Sequence, residues 1–326
     1  MRSGVQEFSL PALNEITPKN VKTIKQIYRL EKGIDIIDVL YSPDGQYLAV
    51  ARKDNTLHLW STQDNKLIYT FNIESNCMDC VTFSPDGRYI ASVREDHHND
   101  VIVWNLETGK PSWESGESNQ IVEGNVTGLV FSSNGKYLAE AIGNSINIWQ
   151  AGNNGFNLVR EMEGFSAPVN DLAFSSDGER LLSICKKQAV QVWDVYSGNW
   201  LMTLDDDTEQ NVTTGLFSPD DTLIVTGEQD GTIKFWDGQL GSLIRTIISS
   251  ATPIQFLSFS PDNELLAVSG SDNHEEIWDV SLLVILMVIS GNNNDIIPIT
   301  FSPDNKVFIT TSPGDTLRLW GVVKKK

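Results

Sequence analysis

A short phrase recurs seven times along the 326-residue chain and limits what the chain can become. It reads YSPDG from Tyr41, FSPDG from Phe83, FSSNG from Phe131, FSSDG from Phe174, FSPDD from Phe217, and FSPDN from both Phe259 and Phe301. Successive copies lie 42 to 48 residues apart. A tryptophan follows each copy after 18 to 21 residues: Trp60, Trp104, Trp149, Trp193, Trp236, Trp278 and Trp320. One such phrase would mean little. Seven in register with seven tryptophans impose a repeat architecture, in which each unit buries its apolar face against its neighbours.

Ser-Pro-Asp-Gly places proline and a residue tolerant of positive φ where a tight turn needs them. Apolar and β-branched runs flank it, such as CVTFS and DLAFS before and YLAVA and LIVTG after, so the turn joins two strands. A third strand ends at the tryptophan (TLHLW, VQVW, TIKFW), and a fourth follows a polar turn (KLIYTF, NWLMTL, SLIRTI). Period, strand count and anchors together resemble the WD40 repeat family over about residues 21 to 320. The resemblance implies an all-β fold: a seven-bladed β-propeller of four-stranded antiparallel blades.

The last unit has no fourth strand after Trp320, whereas Val21 to Leu30 alternates like one. The expected division is a leader over 1–20, extended or irregular, and a single propeller over 21–326. In it, residues 21–30 form the outer strand of blade 7 and close the ring by pairing with the last blade, which removes two exposed edges. The leader through Gly33 carries six basic and three acidic residues. Lys324 to Lys326 are basic too, so the net charge of −19 becomes −25 over the ring between.

Only Trp193-Asp194, Trp236-Asp237 and Trp278-Asp279 keep the Trp-Asp pair that gives the family its name, and Gly-His appears nowhere. With four histidines in the chain, the family's Asp-His-Ser/Thr-Trp network cannot form in most blades. This His-poor, FSPDG-rich style looks like bacterial members of the family, and no partner-specific motif carries over.

The acidic balance sets a field of the wrong sign for DNA, RNA or an anionic membrane surface, and favours a basic protein or peptide as partner. The longest apolar run, Leu282 to Ile289, is far short of a membrane span, and no signal-peptide core is present. The expected location is cytoplasmic as the chain stands, or extracytoplasmic had an export leader been removed. Other domains of a larger polypeptide or complex are possible neighbours. Three cysteines cannot build a disulfide framework, and Cys77-x-x-Cys80 lacks the second pair that zinc requires, so ordinary packing is expected for all three.

No nucleophile elbow, Walker A loop or dinucleotide fingerprint occurs. The expected protein is therefore a non-enzymatic scaffold or sensor that binds a protein or peptide through its loop-bearing face, with the apolar outer edge of blade 6 as a further contact, and takes no cofactor and no metal. Two alternatives are kept: a small-ligand or metal sensor using the blade 2 loop, and a propeller enzyme or cofactor binder with a site in the central channel. His274-Glu275-Glu276-Ile277-Trp278 begins like a zinc-protease motif but ends on a blade anchor. The Thr108 to Trp113 stretch only faintly resembles a quinoprotein docking phrase.

Three places stand out as candidate partner-binding sites. The second unit has a longer loop carrying Glu95, Asp96, His97, His98 and Asp100, whose imidazoles and carboxylates suit a divalent metal or a partner contact. Asp205, Asp206, Asp207 and Glu209 form an acidic cluster between blades 4 and 5, on what should be the same face, and could dock a basic peptide. The third is the outer strand of blade 6, where Leu283, Val284, Met287 and Val288 replace the polar residues of other units. Such an edge needs a cover. Either leader residues such as Phe8, Leu10 and Leu13 fold over it, or another chain docks there.

Overall fold

Every copy of the phrase makes the same turn in the computed structural model, which describes residues 11–30, 36–73, 80–94, 100–115, 125–153, 155–163, 165–185, 189–206, 211–271, 274–290, 299–312 and 316–324. In the first copy the Ser42 hydroxyl donates to Asp44 Oδ1 at 2.6 Å and accepts from the Tyr47 N–H at 2.9 Å, while Asp44 Oδ1 also accepts from the Gln46 N–H at 3.0 Å. The same bonds recur at Ser84, Ser132, Ser175, Ser218, Ser260 and Ser302, with Asn134 standing in for aspartate in the third copy. All seven serines are buried. The fifth residue always takes a positive φ, from 53° at Asn305 to 70° at Gly45 and Gly135. That explains why the phrase ends only in Gly, Asn or Asp, the residues for which this conformation costs least.

Each turn joins strands a and b of one antiparallel blade; strands c and d follow outward. Blade 1 comprises Ile36–Tyr41, Tyr47–Arg52, Thr56–Ser61 and Lys66–Asn72, and blade 4 comprises Val169–Phe174, Arg180–Cys185, Val190–Asp194 and Trp200–Leu204. Blade 5 ends in Thr232–Asp237 and Leu243–Ile248, and blade 6 in His274–Asp279 and Val284–Ser290. The inner strands touch in cyclic order, the seventh against the first, so the ring is closed. Hydrophobic clusters fill the seams between blades and not the blades themselves. One joins Ile37, Leu57 and Phe71 of blade 1 to Val81, Phe83 and Ile90 of blade 2. Another joins Leu182 and Val192 of blade 4 to Phe217 and Ile224 of blade 5. Burial in these seams drives ring assembly.

The turns also interlock. Ser176 donates from both N and Oγ to the Asp221 carboxylate of the next blade, at 2.8 and 2.6 Å. Asn134 Nδ2 donates to Asp177 O at 2.9 Å, and Asn305 Nδ2 to Asp262 Oδ2 at 2.7 Å.

The loss of histidine leaves half of the family network intact. The indole N–H groups of Trp104, Trp193, Trp236 and Trp320 donate to Ser92, Ser183, Thr226 and Thr310 at 2.9 to 3.2 Å. In two blades a charged side chain of strand c holds the incoming connection. In blade 5, Lys234 Nζ sits 2.8 Å from Asp206 and 2.7 Å from Glu228. In blade 6, Glu276 accepts from Ser249 Oγ at 2.7 Å, Ser250 N at 2.9 Å and Trp278 Nε1 at 2.9 Å. Trp149 uses Glu140, which also accepts from Asn147.

The N-terminal strand pairs with blade 7, as its alternation implies. Lys25–Leu30 runs antiparallel to Thr316–Val323, from Lys25 opposite Gly321 to Leu30 opposite Leu317, and starts four residues later than Val21. Val21–Thr23 is instead a 3-10 turn. A second short strand, Leu13–Asn14, pairs with Val322 and Val323, so the last strand is held twice. Between the two strands the leader crosses to blade 6, where Ile16, Val21 and Ile24 join Ile277, Ile289, Phe301 and Phe308 in the seam between blades 6 and 7.

Expectation and structure part at one of the two described cysteines. Cys80 is disulfide-bonded, not merely packed, and Cys185 is a buried free thiol. Cys77 lies outside the described residues.

Candidate functional site

Of the blade 2 loop, Glu95, Asp96, His97 and His98 lie outside the described residues. Its base is defined: the Arg94 N–H donates to Asp100 O at 2.9 Å, and Arg94 Nη1 meets Glu114 Oε2 at 3.1 Å. Asp100 is half-buried, and its charge adds to the burial that raises the Glu140 carboxyl above the usual range. Arg94 lines a cleft of about 650 Å³ between blades 1 and 2, with Asp54, Asn72 and Trp104 among its other walls.

The acidic cluster is not a uniform exposed patch. Asp205 is exposed, but the Asp206 side chain is only 10% exposed and pairs with Lys234. Asp207 and Glu209 lie outside the described residues. The pairing joins residues from different blades, so spacing along the chain could not signal it.

The outer strand of blade 6 divides into a covered and an open face. Met287 and Leu286 pack against the leader cluster of Ile16, Val21 and Ile24, and Leu283 packs into the seam between blades 5 and 6. Leu283 and Met287 are thus half-buried. Among the described residues the leader contacts this strand through Ile16, Val21 and Ile24, and not through Leu13. Leu13 goes to the opposite seam, with Val39, Leu48 and Leu317, while Phe8 and Leu10 lie outside the described residues. Leu283 also holds φ at +54°, at the turn position where Gly109, Gly198 and Gly241 stand in other blades. Its burial offsets that strain. The open face presents Leu282, Val284, Ile285 and Val288, each at least 40% exposed.

Blades 4 and 5 expose apolar residues too. Trp200 and Leu201 on blade 4, and Leu243, Ile244 and Ile248 on blade 5, are exposed on their outer strands. They were missed because NWLMTL and SLIRTI read as ordinary mixed strands.

The inner strands hold two acidic groups, Asp38 in blade 1 and Asp171 in blade 4. Withdrawal from solvent pushes Asp38 up to about 7 and Asp171 up to about 6. Both are engaged locally: Asp38 accepts from the Val39 N–H at 2.7 Å, and Asp171 from Leu172 at 2.7 Å and Gly215 at 3.3 Å. Gly215 belongs to the next blade, so Asp171 stitches blades 4 and 5. Among the described residues no three His, Cys, Asp or Glu side chains converge as metal ligands, and no helix is long and apolar enough to cross a membrane.

Comparison with known proteins agrees with this geometry. The chain is 25% identical over 215 residues to Periodic tryptophan protein 2 of Arabidopsis thaliana, covering 65% of this chain and 23% of that protein. It is 28% identical over 187 residues to the uncharacterized WD repeat-containing protein sll1491 of Synechocystis, covering 57% of this chain and 39% of that one. It is also 29% identical over 104 residues to Protein Rae1 of Drosophila melanogaster, covering 32% and 30%. The matches span well under half the length of each of these relatives. Residues 35–321 match the family described as the IFT122 first beta-propeller. With seven repeats closed into a ring and a family match along most of its length, the chain belongs to the WD40-repeat β-propellers.

Proposed function

We propose that the chain is a non-enzymatic scaffold that holds another protein on the outer rim of its propeller at blade 6. One observation carries this reading: Val284, Ile285 and Val288 stand exposed on an edge strand, and Leu282 on the turn before it, with no charged residue from Val280 to Ser290. Aliphatic edges of this kind are sites of association unless they are covered, and among the described residues the leader packs against Leu286 and Met287. The relatives are WD-repeat proteins, and a stiff ring with variable edges suits holding more than chemistry. To test it, proteins captured from the source cells by the wild-type chain are compared with those captured by a Val284→Thr/Val288→Thr variant. Loss of a specific partner at unchanged melting temperature supports the reading, and an unchanged set of partners refutes it.

A further inference from the structure

The segments that close the ring carry charge of the opposite sign to the ring itself. In residues 11–25 and 321–324, Lys19, Lys22, Lys25 and Lys324 stand against a single acid, Glu15, a net of +3 in a chain whose net charge is −19. All four lysines are exposed, and none of them forms an ion pair among the described residues. Lys306, on the neighbouring strand, is paired with Asp304 at 2.9 Å and leaves the balance unchanged.

Closure brings these lysines together. Lys25 lies opposite Gly321 where the N-terminal strand pairs with Thr316–Val323. Antiparallel register carries the residues before Lys25 and those after Gly321 past the same end of that pair, so Lys22 and Lys324, each three residues beyond it, leave the blade on one side. With strands about 4.8 Å apart and a rise of about 3.3 Å per residue, the Lys25 and Lys324 backbones are roughly 11 Å apart, close to the ~10 Å Debye length at 0.1 M salt. The Lys324 N–H is fixed on Ala12 O at 2.9 Å. Lys19 sits in a loop locked by Asn20, whose Nδ2 donates to Glu15 O at 2.8 Å and whose Oδ1 accepts from the Thr17 N–H at 2.9 Å. The 3-10 turn at Val21–Thr23 then places Val21 and Ile24 in the seam between blades 6 and 7 and leaves Lys22 outside. Three of the lysines come from the leader and one follows the last strand, so the patch is assembled only in the closed ring.

We infer that this patch binds a short acidic segment of another protein, and that the bound segment stabilises the closure it spans. Charge fixes the sign of the occupant, and the extent of the patch fixes its size. A nucleic acid or an anionic bilayer carries its charge well past four lysines, and there it meets a ring whose net charge is −25. A short segment keeps its carboxylates within about a Debye length of the lysines. Because it touches the leader and the last strand at once, it binds the closed ring and not the open chain, and so raises the stability of the fold by mass action.

The test uses the full chain and a fluorescently labelled decapeptide alternating glutamate and serine, with anisotropy read at about 50 mM and about 300 mM salt. Lys22→Gln/Lys25→Gln alters the leader side of the patch and Lys324→Gln the other end. Lys136→Gln, at an exposed lysine beside the turn of blade 3, is the control. Circular dichroism confirms that each variant is folded. The expected result is saturable binding at low salt that weakens about tenfold or more at the higher salt and in the double variant, weakens less in Lys324→Gln, and is unchanged in Lys136→Gln. The peptide should also raise the melting temperature of the wild type more than that of the double variant. No saturation up to about 1 mM at low salt overturns the inference. So does an equal loss in Lys136→Gln, which would mean diffuse attraction to any lysine. Tighter binding of an oligothymidine or of phosphatidylserine vesicles than of the peptide would assign the patch to another class of anion. A low-salt dimer in sedimentation that the double variant abolishes would assign it to a second copy. An unchanged melting temperature at saturating peptide would overturn the coupling to closure while leaving the patch as a binding site.

Discussion

Ile16 offers a sharp measure of how the leader contributes to the ring. Its side chain is fully buried in the seam between blades 6 and 7, among Ile277, Ile289, Phe301 and Phe308. Its backbone is fixed independently: the N–H donates to Asn305 O at 2.7 Å, and the carbonyl accepts from Asn305 Nδ2 at 2.9 Å. Ile16→Ala therefore removes packing while leaving those bonds in place. Three lost carbon groups at about 0.8 kcal/mol each give about 2.4 kcal/mol of transfer free energy. A cavity that does not collapse adds roughly 1 to 2 kcal/mol. The expected loss is about 3 to 4 kcal/mol, a large share of the ~5–15 kcal/mol typical of a folded domain. Urea unfolding followed by far-ultraviolet circular dichroism and by fluorescence of the nine tryptophans should show one coincident transition, with a lower midpoint and an unchanged slope. A loss below about 0.5 kcal/mol, or a separate early transition while the tryptophans stay folded, would refute the idea that the leader is integral to the ring.

Other expectations follow from the same seams. Asn305→Ala should cost about 2 kcal/mol in urea unfolding, since it removes bonds to Ile16 and Asp262 and places alanine at a φ of 53°; Asn305→Gly should recover the conformational part only. Lys234→Met leaves Glu228 and Asp206 facing each other without their cation and should destabilise by about 3 kcal/mol, more than Asp206→Asn. Burial pushes Glu275, across the seam from Arg318 and Thr310, up to about 8. A carboxyl raised in the folded state stabilises below its ordinary pKa and loses that contribution as pH rises toward the folded value. Wild-type melting temperature should therefore fall relative to Glu275→Gln between about pH 5 and pH 8; parallel profiles would show that Glu275 ionises freely.

The fold was legible because its determinants are local and repeated. A buried serine, an aspartate two residues on and a residue tolerant of positive φ specify each turn without help from elsewhere, and the tryptophan marks the end of strand c. The closing strand was legible for a related reason: a missing outer strand at one end and an alternating segment at the other imply each other. The surfaces were read less completely. The anomaly at Leu282 to Ile289 was visible, but which of its side chains remain open depends on Ile16 and Val21, more than 250 residues away along the chain. Asp206 looked like a member of an acidic run because nothing local reveals Lys234. The edges of blades 4 and 5 escaped notice because each is unremarkable alone.

The pairing of Leu13–Asn14 with Val322 and Val323 bears on how the chain is made. During synthesis the first strand leaves the ribosome with no partner, and roughly 15 to 60 s pass before the last strand follows at ~5–20 residues per second. For that interval Ile16, Val21 and Ile24 have no seam to enter, and each blade already made shows an apolar flank to the cytosol or to the translocation machinery. The ring is thus assembled in the order in which it is least protected. Its closure waits for the last strand, and sequestration of the nascent N-terminal segment should govern the yield of folded protein.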